Sequence, residues 1–321
     1  MTGVDADLRV KPFFHEGPTF SIRDFAVGAF NAEMGLEAFD PDFATAAAGG
    51  VVTTPSGLVL DGTKDVIPAP PASSTTADPD GDGVVNEIPT SLVDHMELYL
   101  LNCFKPGSYR STFSSQLGRH TMQVIGCMKC HRRNLPIAND RRVADVVPQY
   151  DPANGVINHM FASAIPKFVT QPGGGTYPDF KVPAGNSFLV RNIFADFRRH
   201  DLGPKFWERN FDGTITKKHM TEPLWGVAST APYGHDGRSI NLREVILRHG
   251  GEAQLSRNRF ATLPQFAQDN VIAFLQTLVL FPPPDTASDL DPGDPMHPDY
   301  PVRAHGSIDL SVLFNIPSIK E

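Results

Sequence analysis

The sequence predicts a mainly α-helical chain with long irregular loops and little β-structure. Three observations carry that expectation. Apolar residues recur at helical spacing within short segments, long stretches of Gly, Pro, Ala, Ser and Thr separate those segments, and one compact cysteine–histidine motif sits between two of them. No repeat of 20 to 50 residues points to a solenoid.

The elements follow in chain order. "SIRDFAVGAFNAEM", Ser21 to Met34, reads as an amphipathic helix: Ser21 caps it, Asp24 lies three positions on, Phe25, Ala29 and Phe30 share a face, and Gly35 closes it. Residues 45–80 turn to Ala, Gly, Pro, Ser and Thr and read as a long loop. "SLVDHMELYLLNCF" aligns Val93, Met96, Leu100 and Phe104 on one stripe, and Cys103 reads as a small core hydrophobe. "SSQLGRHTMQVI" forms the next helix and delivers the chain to Cys127. Residues 148–186, rich in Pro, Gly and Asn, read as an irregular excursion with at most short strands. "NLREVILRHGG" gives a short helix. "PQFAQDNVIAFLQTLVLF" gives a longer one whose main stripe is Val271, Phe274, Leu275 and Leu278, stopped by Pro282 to Pro284. The expected organisation is 1–88, 89–284 and an Asp- and Pro-rich tail at 285–321 that covers the surface or is disordered.

Composition narrows the function classes. The chain of 321 residues is long enough to bury a sizeable core and carries a net charge of −8 from 28 basic and 36 acidic residues. Nucleic-acid affinity rests on clustered Lys and Arg, so this balance argues against it. The one basic cluster, Arg132, Arg133, Arg141 and Arg142, is either a solvated loop or a face for an acidic partner or propionate. No apolar run is long enough to span a membrane. Residues 1–20 lack the basic and apolar regions of a signal peptide, so the start reads as a fragment boundary.

The chemistry concentrates in "GCMKCHRR", which holds two of the three cysteines. A redox dithiol uses this spacing in a βαβ context that the sequence does not display. A zinc site needs two further ligands, and with only Cys103 left they would be distant histidines. The third reading is covalent haem c, in which Cys127 and Cys130 add to two vinyl groups and His131 lies beneath the iron. It is the reading the spacing favours. Thioether attachment happens outside the cytoplasm, so a periplasmic or exported location follows from it.

Beyond His131, ten histidines and eight methionines could complete the iron. In "NLREVILRHGGEA", Asn241 caps, Glu244 holds the capping-box position, and Leu242, Val245, Ile246 and His249 form one helix face. His249 at the last turn, followed by Gly250 and Gly251, can approach a flat ring; the plainer reading is a buried histidine bonded to a carbonyl. His235, in "APYGHDGRS", serves a tight turn equally well, and His200 in "FRRHDLG" ranks third. Met220 and Met160 are weaker candidates. Trp207 and Trp225 read as core aromatics rather than electron relays.

"TEPLWGVASTAPYGHDGRSINLREVILRHGGEA" and "FATLPQFAQDNVIAFLQTL", with "FADFRRHDLG", "GCMKCH" and "DPDGDGVVNE" in order, resemble the C-terminal haem domain of the di-haem (thiol) oxidoreductase branch of the di-haem cytochrome c peroxidase superfamily. "LRVKPFFHEGPTFSIRDFAVGAFNAEMGL" resembles the region between its haems, so the likeness runs from about Leu8 to Leu280. The resemblance implies a cytochrome c-like haem domain with thioethers at Cys127 and Cys130, proximal His131, and His249 where the family's peroxidases use methionine. Leu202 stands where the branch often has methionine. The resemblance further implies the electron-relay half of a two-haem protein, catalytic only with a second haem domain or redox partner.

"DPDGDGVVNE" alternates Asp78, Asp80 and Asp82, with Gly81 and Gly83 allowing a tight turn, like the first half of an EF-hand loop. The twelfth position is Pro89, so Glu87, with the Val84 carbonyl and Asn86, is the substitute ligand for calcium. The plainer reading is an acidic surface turn. The function expected is electron transfer through one covalent haem. A single-haem peroxidase using His235 or His200, and a zinc-stabilised structural or interaction module, are the alternatives.

Overall fold

The computed structural model describes residues 13–17, 19, 21–55, 59–63, 67–102, 105–108, 110–137, 168–171, 180–183, 188–190, 192–281 and 296. The expectations for Cys103, Phe104, Arg141, Arg142, Met160, Pro282 to Pro284 and the tail lie outside these residues, as does most of the 148–186 excursion. Among the described residues there are seven α-helices, and strands occur only as short antiparallel pairs. The fold is thus mostly helical with little β-structure. No described helix is long and apolar enough to cross a membrane.

The chain forms two compact units that interleave in sequence. The first takes Met1–Asn102, Cys130–Asp201 and Asn210–Pro223. Its helix α1, Ile22–Met34, begins where the Ser21 hydroxyl accepts from the backbone N–H groups of Arg23 at 3.2 Å and Asp24 at 3.3 Å. It ends at Gly35, whose φ of 68° lets its N–H and that of Leu36 return to the Asn31 and Phe30 carbonyls. The buried face is Ile22, Ala26, Val27 and Phe30, one step round from the expected Phe25, Ala29 and Phe30 stripe. Phe25 still works: half-buried, it meets Phe14 and Phe13 at centroid distances of 4.8 and 5.4 Å.

The long loop expected at 45–80 contains more order than composition indicates. Helix α2, Pro41–Ala47, starts before it on Asp40, whose Oδ1 accepts from the N–H groups of Asp42 at 3.0 Å and Phe43 at 3.1 Å. A hairpin then pairs Val51–Thr53 with Val59–Asp61 in antiparallel register. Phe43, Ala46, Leu60 and Ile67 close on Ile22 to make one core cluster. Helix α3, Thr90–Asn102, supplies Val93 to a second cluster with Val27, Phe30, Ala38 and Ile88, against which Met96 packs; Leu100 packs on the first. The helical stripe predicted for this segment is therefore observed at its three described positions.

Arg23 lies inside this unit at 0 % exposure. Its guanidinium donates to Asp40 at 2.5 and 3.1 Å and to Glu97 of α3 at 3.1 Å, with Asp94 at 2.9 Å. One cation thus joins the N-cap of α2, helix α1 and helix α3.

The second unit takes Cys103–Lys129, Leu202–Arg209 and Leu224–Glu321. Helix α4, Phe113–Ile125, opens with a capping box between Thr112 and Ser115 and ends at Gly126, φ 100°. It buries Gly118, Met122 and Ile125 and packs on helix α7, Gln265–Leu275, which contributes Val271, Phe274 and Leu275. The helices approach so closely that a Cβ on Gly118 would stand 1.7 Å from the Asn270 carbonyl oxygen. Gly118→Ala, normally favourable inside a helix, is accordingly expected to cost about 1–3 kcal/mol, measured by denaturant unfolding.

Two differences from the sequence expectation fall in this unit. The helix predicted to run through "PQFAQDNVIAFLQTLVLF" stops at Leu275, and Leu278–Phe281 is a strand paired with Lys105–Ser108. Leu278 is buried, as the stripe requires, but from the strand. Helix α6, Gln254–Ala261, has no apolar stripe to reveal it; it buries Phe260 and follows a 3₁₀ turn at Gly251–Ala253.

Candidate functional site

Helix α4 ends at Gly126, and the chain turns at once into a 3₁₀ turn, Cys127–Lys129. Cys127 and Cys130 are both half-buried. The division between the two units falls just after Lys129.

In the first unit, the Nδ1–H of His131 faces the Phe194 carbonyl at 3.3 Å. A carbonyl only accepts, so the proton sits on Nδ1 and Nε2 is the nitrogen suited to a metal. The Arg133 carbonyl accepts from the N–H of Ile193 at 2.8 Å, and Leu135–Ile137 pairs with Phe188–Val190, which ties the stretch after the motif to residues 188–194. His200 lies on the strand Arg199–Asp201, paired with Lys218–Met220. Its Nε2 is 3.1 Å from Asp196 Oδ2. Burial would raise the Asp196 carboxyl, but the His200 hydrogen bond and the Arg198 N–H bring it below the usual carboxylate range. Cys130, Asp196 and His200 present donor atoms within 4.8 Å of one another. Met220 is buried in that strand pair, its N–H donating to the His15 carbonyl at 2.6 Å.

In the second unit, helix α5 spans Leu242–Arg248. Asn241 Oδ1 accepts from the N–H of Glu244 at 2.8 Å, as its capping role requires, but Glu244 Oε2 accepts from the N–H of Ile240 at 2.9 Å, one residue before the Asn241 N–H that a capping box would use. His249 is the C-terminal cap residue. Its Nδ1–H donates to the Val245 carbonyl at 2.6 Å, so Nε2 is again the nitrogen suited to a metal. Burial holds the His249 imidazole below its ordinary pKa, with Arg248 adding to the effect against the Val245 bond, so the neutral form a metal requires is favoured. The Gly250 N–H donates to the Leu202 carbonyl at 2.9 Å, and Gly251, φ 48°, takes the left-handed turn expected of this glycine pair.

The buried Phe206 ring organises this end of the unit. It meets the His249 ring edge-on at 5.2 Å and the His235 ring at 6.2 Å, while the Arg248 guanidinium lies 4.2 Å over its face. Arg248 also pairs with Asp236 and donates to the Lys205 carbonyl at 3.0 Å. His235 Nε2 is 3.7 Å from Glu208 Oε2. His235 and His249 thus flank one phenyl ring, a relation that sequence spacing does not reveal. Trp207 and Trp225 are half-buried.

The loop with alternating aspartates is also folded on itself. Asp78 accepts from the N–H groups of Gly81 at 2.6 Å and Gly83 at 3.0 Å, Asp80 from Asp82 at 3.2 Å, and Asp82 from Val84 at 2.7 Å. Gly81 and Gly83 take φ of 77° and 90°. Glu87 Oε2 accepts from the Glu37 N–H at 3.0 Å. The carboxylate that joins Asp78 and Asp80 within 4.8 Å is Glu37, which sequence reading did not single out.

The donor set fits a c-type haem as far as each unit shows it. Two half-buried cysteines stand three apart, and His131 and His249 each direct Nδ1 to a carbonyl, which makes Nε2 the nitrogen suited to a metal. Residues 132–278 match the model of a family described as "di-haem oxidoreductase, putative peroxidase". The match begins just after the CxxCH motif and includes His200, His235 and His249. No curated protein matches the chain.

Proposed function

On the premise that residues 132–278 are a haem-domain segment of the di-haem oxidoreductase family, we propose that this chain is a c-type cytochrome that relays electrons within such an oxidoreductase. The family implies haem and a peroxidase-like oxidoreductase role with a second haem in the complete system. The finer reading is one haem c on Cys127 and Cys130, axial ligands His131 and His249, maturation in the periplasm or another exported compartment, and a structural calcium ion at residues 78–87. Haem, when bound, supplies a one-electron iron couple. The remaining work belongs to the protein. The two thiols form the covalent anchors, His131 and His249 present their Nε2 atoms, and the Phe194 and Val245 carbonyls hold both rings in the required tautomer.

The observation that carries this reading is His249: a histidine at the end of an apolar helix face, neutral by burial, with its Nδ1 proton already accepted. With both imidazoles bound, a haem iron would have no open position, which would favour electron transfer over peroxide cleavage. Replacing a methionine ligand by histidine also lowers the reduction potential.

The test is expression with c-type maturation followed by intact mass and an optical spectrum. One covalently added haem and a low-spin spectrum are expected, and Cys127→Ser with Cys130→Ser should abolish the covalent mass increment. A colourless product after such maturation refutes the reading.

A zinc reading has one observation of its own, the convergence of Cys130, Asp196 and His200. Metal analysis that finds stoichiometric zinc and no Soret absorbance would establish it. A single-haem peroxidase, with His200 held by Asp196 or His235 beside Glu208 as the acid–base group, requires a high-spin ferric spectrum and rapid reaction with hydrogen peroxide.

A further inference from the structure

Glu37 lies between helices α1 and α2 and is 1 % exposed. One carboxylate oxygen, Oε1, accepts from the N–H of Asp80 at 3.1 Å. The other, Oε2, is buried with no hydrogen-bond partner. A buried carboxylate oxygen without a partner is costly, and here its surroundings are Asp78 and Asp80, whose oxygens lie within 4.8 Å. Like charges so close repel.

The neighbourhood holds this arrangement in place rather than letting it open. The Glu37 N–H donates to Glu87 Oε2 at 3.0 Å, its carbonyl accepts from the N–H of Ile88 at 3.0 Å, and the Phe39 N–H donates to Asn86 Oδ1 at 3.0 Å. The segment 37–39 is therefore laced along 86–88 at the same time as the Glu37 side chain reaches Asp78 and Asp80.

We infer that Glu37, with Asp78 and Asp80, binds a calcium ion that fastens the 78–87 loop to the α1–α2 connection. The inference rests on the calcium reading of that loop and adds the ligand that makes it a three-carboxylate site spanning two chain segments. Oxygen-only donors drawn from two separate chain segments suit calcium better than magnesium, which demands a tighter octahedron and sheds its water reluctantly. Asp82 and Glu87 take supporting roles, Asp82 bonding the Val84 N–H and Glu87 holding the Glu37 backbone.

The experiment is calorimetric titration of the chelator-stripped full chain with calcium chloride, and separately with magnesium chloride, alongside thermal unfolding with and without each ion. Calcium binding at about one ion per chain, tighter than magnesium, with a raised unfolding temperature, is expected. Glu37→Gln keeps the shape and should weaken calcium by about tenfold or more. Asp80→Asn, at an exposed position, serves as a second variant should Glu37→Gln fold poorly, and should weaken it similarly. If the parent protein binds calcium but Glu37→Gln binds it equally well, the role of Glu37 is overturned while a calcium loop stands. If the parent shows neither heat nor thermal shift up to millimolar calcium, the calcium reading and this inference fall together.

Discussion

Replacing His249 by alanine is expected to convert the ferric haem protein from low-spin to high-spin and to open the iron to small ligands. The expectation follows from what His249 contributes. Its Nδ1 proton is bound by the Val245 carbonyl at 2.6 Å, which both fixes the ring and raises the basicity of Nε2. Phe206 braces the ring edge at 5.2 Å, and the Gly250 N–H on the Leu202 carbonyl pins the residue that follows. Alanine retains the helix and the glycine exit but removes the imidazole. The spectral change should come with a gain in cyanide or peroxide reactivity, since a vacated position is what those ligands need. His249→Met should instead restore a low-spin spectrum at a higher potential, with a sulfur-to-iron band that is not expected of the parent protein. An unaltered low-spin spectrum in His249→Ala would remove His249 from the iron, and a sulfur-to-iron band in the parent would show that a methionine holds it.

Arg23→Ala should destabilise the first unit by about 3–5 kcal/mol, the range for removing one member of a buried charge network. The size comes from what is left behind. Asp40 and Glu97 are both fully buried, and Arg23 is the cation that meets each of them. Thr54 donates to Glu97 at 2.5 Å, and the N–H groups of Asp42 and Phe43 donate to Asp40, but hydroxyl and amide dipoles cannot neutralise two carboxylates. Burial already lifts the Glu97 carboxyl above its ordinary value despite Thr54 and Arg23. Arg23→Met combined with Asp40→Asn and Glu97→Gln should recover much of the loss, because no buried charge then lacks a partner. Urea unfolding at neutral pH measures both. A loss below about 1 kcal/mol for Arg23→Ala, the scale of an exposed pair, would mean that the network is not a determinant of stability.

Local chemistry was readable in advance. The C-x-x-C-H spacing is contained within five residues, and the caps at Ser21 and Asn241 depend on hydrogen bonds two or three residues long. The Val93, Met96 and Leu100 stripe and the Val271, Phe274 and Leu275 stripe follow from helical period alone. Where two states satisfy the same pattern, period could not choose. "LVLF" suits a buried helix or a strand, and only its pairing with Lys105–Ser108 made it a strand. Helix α6 carries almost no stripe, and the hairpin at Val51–Thr53 and Val59–Asp61 lies in a composition that reads as loop.

The site divides in the same way. By itself the sequence determined the C-x-x-C-H motif, the helix that ends at His249 and the alternating aspartates, since each is set by neighbours in the chain. Tertiary structure alone decided that His235 and His249 share Phe206, that Arg23 is an interior cation rather than a solvated one, and that Glu37 reaches Asp80 across 43 positions. The reason is that a buried charge or ring is defined by whatever the fold brings against it, and those partners are chosen by packing between segments that no local rule connects.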